Sequence, residues 1–197
     1  MLTKNELLIP LHQLRGDAVV VTTMGVVRPW GKISRSELDF ASADSAMGHA
    51  ADLALGIALA QPQRKVICLN GDGSMLMSLG TLVTAVATAA SNFILFVIQN
   101  GTYEITGNQP IPNAGRVDFV TLARGAGFER TYLFENPKEY IQQLPEVLAG
   151  KGPVLVLARI EPGAEGPISR SEKEESFYLK HSIADSAHRI RKVLAEW

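Results

Sequence analysis

The sequence predicts an α/β fold: a three-layer sandwich around a mostly parallel, doubly wound sheet of about six strands. Three observations predict it. Short apolar runs recur along the chain with helical segments between them, the alternation that places helices on both faces of a parallel sheet. The strongest runs, Val66-Ile67-Cys68-Leu69 and Phe93 to Ile98, are continuously apolar, as strands covered on both faces are. The 197 residues, 46% hydrophobic and 20% charged, suit one domain with a sizeable core and leave little room for two.

Taken in order, Thr3-Lys4-Asn5-Glu6 has the capping-box spacing for a short helix that Pro10 should bend or end early. Strands are expected at Ala18 to Thr22, more weakly at Leu38 to Ala41, then at Lys65 to Asn70, Phe93 to Gln99, Thr131 to Phe134 and Pro153 to Arg159. Between them, Ala46 to Ala60 and Met75 to Ala90 are rich in Ala and Leu and nearly free of charge, which predicts two buried helices. The segment Glu161 to Ser171, with Pro162, Gly163, Gly166 and Pro167, reads as a loop that leaves the core. From Glu172 onward, Leu179, Ile183, Ala187, Ile190 and Leu194 recur at steps of three or four, one face of an amphipathic helix. It would pack on this chain or on a neighbour. The expected organisation is a domain over residues 1–163 followed by a loop and helix over 164–197.

Composition narrows the function classes. Nineteen Lys and Arg against twenty Asp and Glu leave a net charge of −1, with no basic surplus to hold a phosphate backbone, so nucleic acid is not an expected partner. The single Cys68 excludes a disulfide framework or a cysteine zinc site and reads as a small core residue. The longest apolar stretch, Leu82 to Ile98, is interrupted by Thr84, Thr88, Ser91 and Asn92, so no membrane span is expected. Without a signal-peptide pattern at the start, the expected location is cytoplasmic.

The chemistry concentrates at Asn70-Gly71-Asp72-Gly73-Ser74, directly after an expected strand and before an expected helix. Glycines there let the backbone approach a ligand, and helix-start amides favour phosphate. Alone, the turn could equally be structural, with the Asp capping the helix. A spacer of 26 residues then leads from Gly73 to Asn100, enough for one helix and one returning strand. Asp72 and Asn100 are therefore expected side by side at the carboxyl edge of the sheet, where open parallel sheets bind ligands. A carboxylate and an amide oxygen are hard ligands of the kind Mg takes, too few for a closed site, so phosphate oxygens would complete it.

Gly71-Asp72-Gly73-Ser74, the spacer and Asn100-Gly101-Thr102-Tyr103 resemble the motif of thiamine diphosphate enzymes, in their cofactor-phosphate-binding domain. The resemblance covers roughly Val19 to Gly163 and is strongest to the small cofactor-binding subunits of sulfopyruvate and phosphonopyruvate decarboxylases. It implies that Asp72, the Asn100 side chain and the Thr102 carbonyl hold Mg. Gln99 stands where the family often has a first Asn. Ser45-Ala46-Met47-Gly48 is similar to the family's Gly-Ser-Met-Gly, which would make Met47 the prop that bends the cofactor and the Ser45 carbonyl an acceptor from its aminopyrimidine. Thr23 and Gly25, in Thr22-Thr23-Met24-Gly25, occupy the other expected diphosphate position. Tyr103, Glu104 and Ile105 open a segment, running to Gln109, similar to the loop that closes over cofactor and substrate, with Asn108 where Gly is common.

His49 and Glu104 are the candidate catalytic side chains this mapping brings near the cofactor. Against them stand a structural role for a His at a helix start and a solvated position for Glu104. Core packing is the competing reading for Met47. His12, His181 and His188 lie outside every motif and read as surface residues.

The resemblance implies decarboxylation of a 2-oxo acid, the cofactor accepting the electrons released with CO₂. It also implies that the activating Glu lies on a pyrimidine-binding domain, for which this chain has no length left. A partner subunit is therefore expected to supply it, alongside homo-oligomer contacts. An acidic substrate tail would need donors, with Arg28, His49, Gln109 and Arg116 as candidates. Two other readings stay open: a cofactor-binding module for oxidative decarboxylation or carboligation, and a non-catalytic binding protein that keeps the fold. The lack of cluster-binding cysteines weighs against ferredoxin-linked oxidation.

Overall fold

A computed structural model describes residues 1–43, 47–168 and 170–195. The capping box at Thr3 forms as expected: its hydroxyl accepts from the Glu6 amide at 3.2 Å and its amide donates to the Glu6 carboxylate at 2.8 Å. The helix it starts, α1 (Lys4–Leu14), runs through Pro10 instead of ending there. Leu7, Leu8 and Leu11 are fully buried along one side, and burial worth about 1.5–3 kcal/mol per Leu offsets a proline penalty of about 3 kcal/mol.

Next come β1 (Val19–Thr23), α2 (Met24–Ile33), β2 (Asp39–Ser42), α3 (Ala50–Ala60) and β3 (Val66–Gly71). Ala46, the expected start of the next helix, lies outside the described residues; α3 starts at Ala50, because Gly48 takes a φ of +88° that breaks helical continuity. The expected helix from Met75 starts earlier and is split into α4 (Asp72–Met77) and α5 (Gly80–Ala87). The break falls at Ser78, whose hydroxyl donates to the Gly48 carbonyl at 2.5 Å. These helices bury only one side, contrary to the expectation from their lack of charge: Leu53, Leu59, Met77 and Val83 are exposed.

The second half adds β4 (Phe93–Gln99), a small hairpin of β5 (Thr102–Tyr103) and β6 (Gln109–Pro110), α6 (Phe119–Ala126), β7 (Arg130–Phe134), α7 (Pro137–Ala149) and β8 (Val154–Arg159). The six main strands are all parallel, in the order β2-β1-β3-β4-β8-β7. Successive residues feed opposite faces. In β3, Ile67 and Leu69 join a core with Leu7, Trp30 and Tyr140, while Val66 and Cys68 join one with Ala54, Leu82 and Phe119. This is the three-layer, doubly wound sandwich. The chain winds outward from β1 to β2 and then crosses to β3, so the switch point lies between β1 and β3.

The core does not end at β8. A 3-10 turn at Phe177–Leu179 puts Tyr178 and Leu179 into the α1-side core, and the Tyr178 hydroxyl donates to the Val27 carbonyl at 2.6 Å. The last helix, α8 (Ile183–Ala195), packs on its own chain: Ile190 is buried in the opposite core, with Ile183 and Leu194 against it. Residue 2 joins the far end of the sheet, its amide donating to Arg159 at 3.0 Å and its carbonyl accepting from Glu161 at 2.9 Å. Among the described residues no helix is long and apolar enough to cross a membrane.

Candidate functional site

A cavity of about 310 Å³ opens at the carboxyl ends of β1, β3 and β4, beside the switch point. Each strand delivers its next residues to it. β1 ends at Thr23 and the chain turns into α2 at Gly25; β3 ends at Gly71 and turns into α4 through Asp72, Gly73 and Ser74; β4 hands over to Asn100. Val97 pairs in register with Asn70 and Ile98 with Gly71, which aligns the two strand ends. Asp72 and Asn100 are thereby neighbours: the Asp72 carboxylate accepts from the amide of Gly101 at 2.8 Å and from that of Gly73 at 2.8 Å.

Asp72 is almost wholly buried, and burial pushes its carboxyl above the ordinary range, while the Gly101 and Gly73 amides pull it back down. No salt bridge reaches it among the described residues, so a bound cation would relieve the cost of its charge. The donor set is also incomplete for a metal by itself: no group of three His, Cys, Asp or Glu side chains meets among the described residues. Asp72, the Asn100 amide oxygen and the Thr102 carbonyl are hard donors that fit Mg with positions left over. On the phosphate side, the Ser74 hydroxyl is buried in the lining without a hydrogen-bond partner. A Cβ added to Gly25 would meet only Glu104 Oε2, at 3.8 Å, so the start of α2 is open to a ligand. An anion bridged by Mg suits these features.

The glycines have separate reasons. A Cβ on Gly73 would lie 2.5 Å from the Tyr103 ring, which packs over the turn, and one on Gly48 would lie 2.6 Å from Met77 Cβ. At the hairpin end, Gly107 takes φ +108° and Asn108 φ +60°, and Asn tolerates the left-handed region that the family's Gly would occupy. The Asn108 amide donates to the Gly163 carbonyl at 3.1 Å and its oxygen accepts from Thr102 Oγ1 at 2.9 Å, so its side chain holds the hairpin.

All but two of the expected cofactor, metal and catalytic residues line this one cavity. Ser45 lies outside the described residues. His49 is the N-cap of α3 with its ring exposed to solvent, Nδ1 2.5 Å from Asp52, and it is absent from the cavity wall. Met47 is 59% exposed at the rim, so core packing does not account for it. Glu104 corrects the expectation of a solvated side chain: it is 4% exposed and accepts from Lys4 Nζ at 2.6 Å, Asn100 Nδ2 at 3.0 Å and the Glu165 amide at 3.0 Å.

The expected substrate-tail donors do not reach the wall. Arg28 is committed to Glu174 at 2.7 Å and to the carbonyls of Gly166 and Pro167, and neither Gln109 nor Arg116 lines the cavity. The lining also contains Met24 and Thr106, which fall within stretches quoted above, and Ser42, Ala50 and Met77, which lie outside every motif.

A family model described as thiamine pyrophosphate enzyme, C-terminal TPP binding domain, matches residues 24–158. A phosphonopyruvate decarboxylase of Streptomyces viridochromogenes is 35% identical over 166 residues, which are 81% of this chain and 40% of that protein. The sulfopyruvate decarboxylase subunit beta of Methanothermobacter thermautotrophicus is 38% identical over 130 residues, 66% of each chain. Among solved structures, the thiamine diphosphate-dependent 4-hydroxybenzoylformate decarboxylase of Rhodococcus jostii has a TM-score of 0.66 at 22% identity, over 83% of this chain and 33% of its own, a likeness of fold. The match thus spans about two fifths of the phosphonopyruvate decarboxylase and two thirds of the beta subunit. On the family match across most of the sheet, and with Asp72 and Asn100 joined at the edge where the motif needs them, the chain belongs to the thiamine pyrophosphate enzymes, as their C-terminal TPP-binding domain.

Proposed function

We propose that this chain is the cofactor-binding subunit of a thiamine diphosphate- and Mg-dependent decarboxylase that acts on a small anionic 2-oxo acid of the sulfopyruvate or phosphonopyruvate kind. The observation that carries the reading is the meeting of Asp72 and the Asn100 loop in a cavity where the buried Ser74 hydroxyl has no partner. Relatives named phosphonopyruvate decarboxylase and sulfopyruvate decarboxylase subunit beta support the substrate class and the subunit role.

Thiamine diphosphate, when bound, supplies the electron sink for loss of CO₂. The chain's own residues do the holding. Asp72, Asn100 and the Thr102 carbonyl take Mg; the turns at Thr23 to Gly25 and at Gly73 to Ser74 present donors to phosphate oxygens. Met47, at the rim, would serve as a prop for the bound cofactor, and Met24, Met77 and Ile105 keep the wall apolar and exclude water. The activating Glu and the cations for the substrate's acidic tail fall to a pyrimidine-binding partner. In support, Asp72 and Glu104 are the charged residues of the wall, and no Lys, Arg or His lines it among the described residues. The exposed Met47 and Met77 in its wall offer apolar area for that partner.

The test is CO₂ release from sulfopyruvate and phosphonopyruvate. No turnover is expected from the purified chain, and turnover without an electron acceptor is expected once a chain carrying the pyrimidine-binding domain is added. Turnover by the pure chain would overturn the half-site. Release only with ferredoxin or a dye would give the oxidative reading, and no turnover in any assembled form the non-catalytic one.

A further inference from the structure

Glu104 sets an electrostatic puzzle, because a carboxylate in the wall of a cavity meant for an anion works against binding. Its partners resolve it. One oxygen, Oε1, takes Lys4 Nζ at 2.6 Å and the Glu165 amide at 3.0 Å. The other, Oε2, takes Asn100 Nδ2 at 3.0 Å. An ionised carboxylate only accepts, so the Asn100 amide must turn its NH₂ toward Glu104 and leave Oδ1 on the opposite side. There Oδ1 accepts from the Thr102 amide at 3.0 Å and keeps a lone pair free. The Thr102 amide, which only donates, demands the same orientation from the other side, so the two contacts reinforce each other.

Building on the Mg-bridged reading of the site, we infer that Glu104 is a positioning residue that holds the Asn100 oxygen toward the metal, and that Lys4 holds Glu104 and cancels its charge. Lys4 is 14% exposed and Glu104 2% exposed at their side chains, so the pair is shielded enough to matter. The pair is crowded from the other side as well, since a Cβ on Gly163 would collide with the Glu104 carboxylate and lie 2.8 Å from Lys4 Nζ. Lys4, Gly163 and Glu165 all lie outside the stretch that the family model matches. The device is therefore an addition to the motif, made by α1 and the segment after β8. Partners that orient metal ligands typically change metal affinity by about 10–100-fold when lost.

The test is a Mg titration of the full chain at saturating thiamine diphosphate, read by thermal shift, for wild type, Glu104→Gln, Lys4→Arg and the double variant Lys4→Met with Glu104→Gln. Gln is nearly isosteric with Glu, so the fold stays. Its single oxygen will go to Lys4 and the Glu165 amide, its NH₂ will face Asn100, and the Asn100 oxygen must turn away from the metal. We expect the Mg midpoint of Glu104→Gln to rise about 10-fold or more, Lys4→Arg to stay within about 3-fold, and the double variant to recover part of the loss because Gln can then turn its oxygen to Asn100. A melting temperature lowered without ligand but an unchanged Mg midpoint means a purely structural pair and overturns the inference. So does equal loss in the single and double variants. If wild type itself shows no Mg-dependent stabilisation by thiamine diphosphate, the reading of the site fails, and this inference with it.

Discussion

Two regions close on the same cavity and are built in opposite ways. The turns after β3 and β4 bring Asp72, Ser74 and Asn100 from within 29 residues of sequence and leave, among the described residues, a buried carboxylate met by backbone amides and no cation, and a buried hydroxyl without a partner. The clamp on the other side is made of distant pieces that are already satisfied: Lys4 with Glu104, Arg28 with Glu174, Asn108 with Gly163. The first region carries unspent capacity for a ligand. The second carries position. The difference teaches that in this cavity the groups lacking partners mark where chemistry comes from outside, and the paired ones mark what holds the cavity in shape.

The sharpest way to break the comparison is Asp72→Ala. A cofactor present at about a hundred times its Kd stabilises by about 2.7 kcal/mol, which for a chain of this size is about 5–10 °C in Tm. That whole shift should vanish in a thermal-shift titration of Asp72→Ala with Mg and thiamine diphosphate, and EDTA should do the same to wild type. Stabilisation that survives both would mean the cavity holds the cofactor without a metal bridge.

Gly73→Ala comes next, because the added Cβ meets the Tyr103 ring at 2.5 Å and the ring must shift. Overpacking of this kind costs about 1–3 kcal/mol, readable by urea denaturation of the ligand-free chain. A neutral result would show Tyr103 to be movable and the turn looser than it looks.

In the clamp, the Arg28 guanidinium holds the Glu174 carboxyl below its ordinary range. A lowered folded-state pKa means stability that is present above the unfolded value of about 4.3 and lost as pH falls through the folded one. Glu174→Gln should lower Tm at pH 7 by up to about 4 °C, for a tie of up to about 1 kcal/mol, with the gap to wild type closing in acid. A gap that stays constant down to pH 3 would show that Arg28 acts through its carbonyl contacts alone.

The smallest expected effect is on ligand-free stability in Met47→Ala. A side chain 59% exposed contributes within about 0.5 kcal/mol, although activity of the assembled enzyme should fall. A loss of about 2–5 kcal/mol without ligand would return Met47 to the core.

The same contrast explains what could be read in advance. The inner strands β1, β3, β4 and β8 were legible because parallel strands buried on both faces leave continuous apolar runs, and the Asp72 and Asn100 pairing followed from counting one helix and one strand between them. Helix limits were less legible. Pro10 argued locally against a helix that three buried leucines enforce, and nothing local announces that Ser78 will bond to the Gly48 carbonyl and split the run after β3. The clamp had no signal at all. Lys4 and Glu104 are 100 residues apart and Arg28 and Glu174 are 146 apart, and a lone charge carries no periodicity that names its partner. Glu104 looked solvated for that reason. The donors proposed for a substrate tail failed likewise, since Arg28 looks equally free whether or not Glu174 waits for it.

Residue 2 has a consequence for how this molecule comes apart. Here the Leu2 amide and carbonyl are stitched to Arg159 and Glu161, and Lys4 follows two residues later against Glu104. Pulling residues 2–4 away would break the pairing just past β8 and release Glu104 from Lys4 in one motion. Amide hydrogen exchange at Leu2 should therefore be as slow as within β8, and saturating thiamine diphosphate with Mg should slow it further, a signal carried from the ligand to the first residues of the chain.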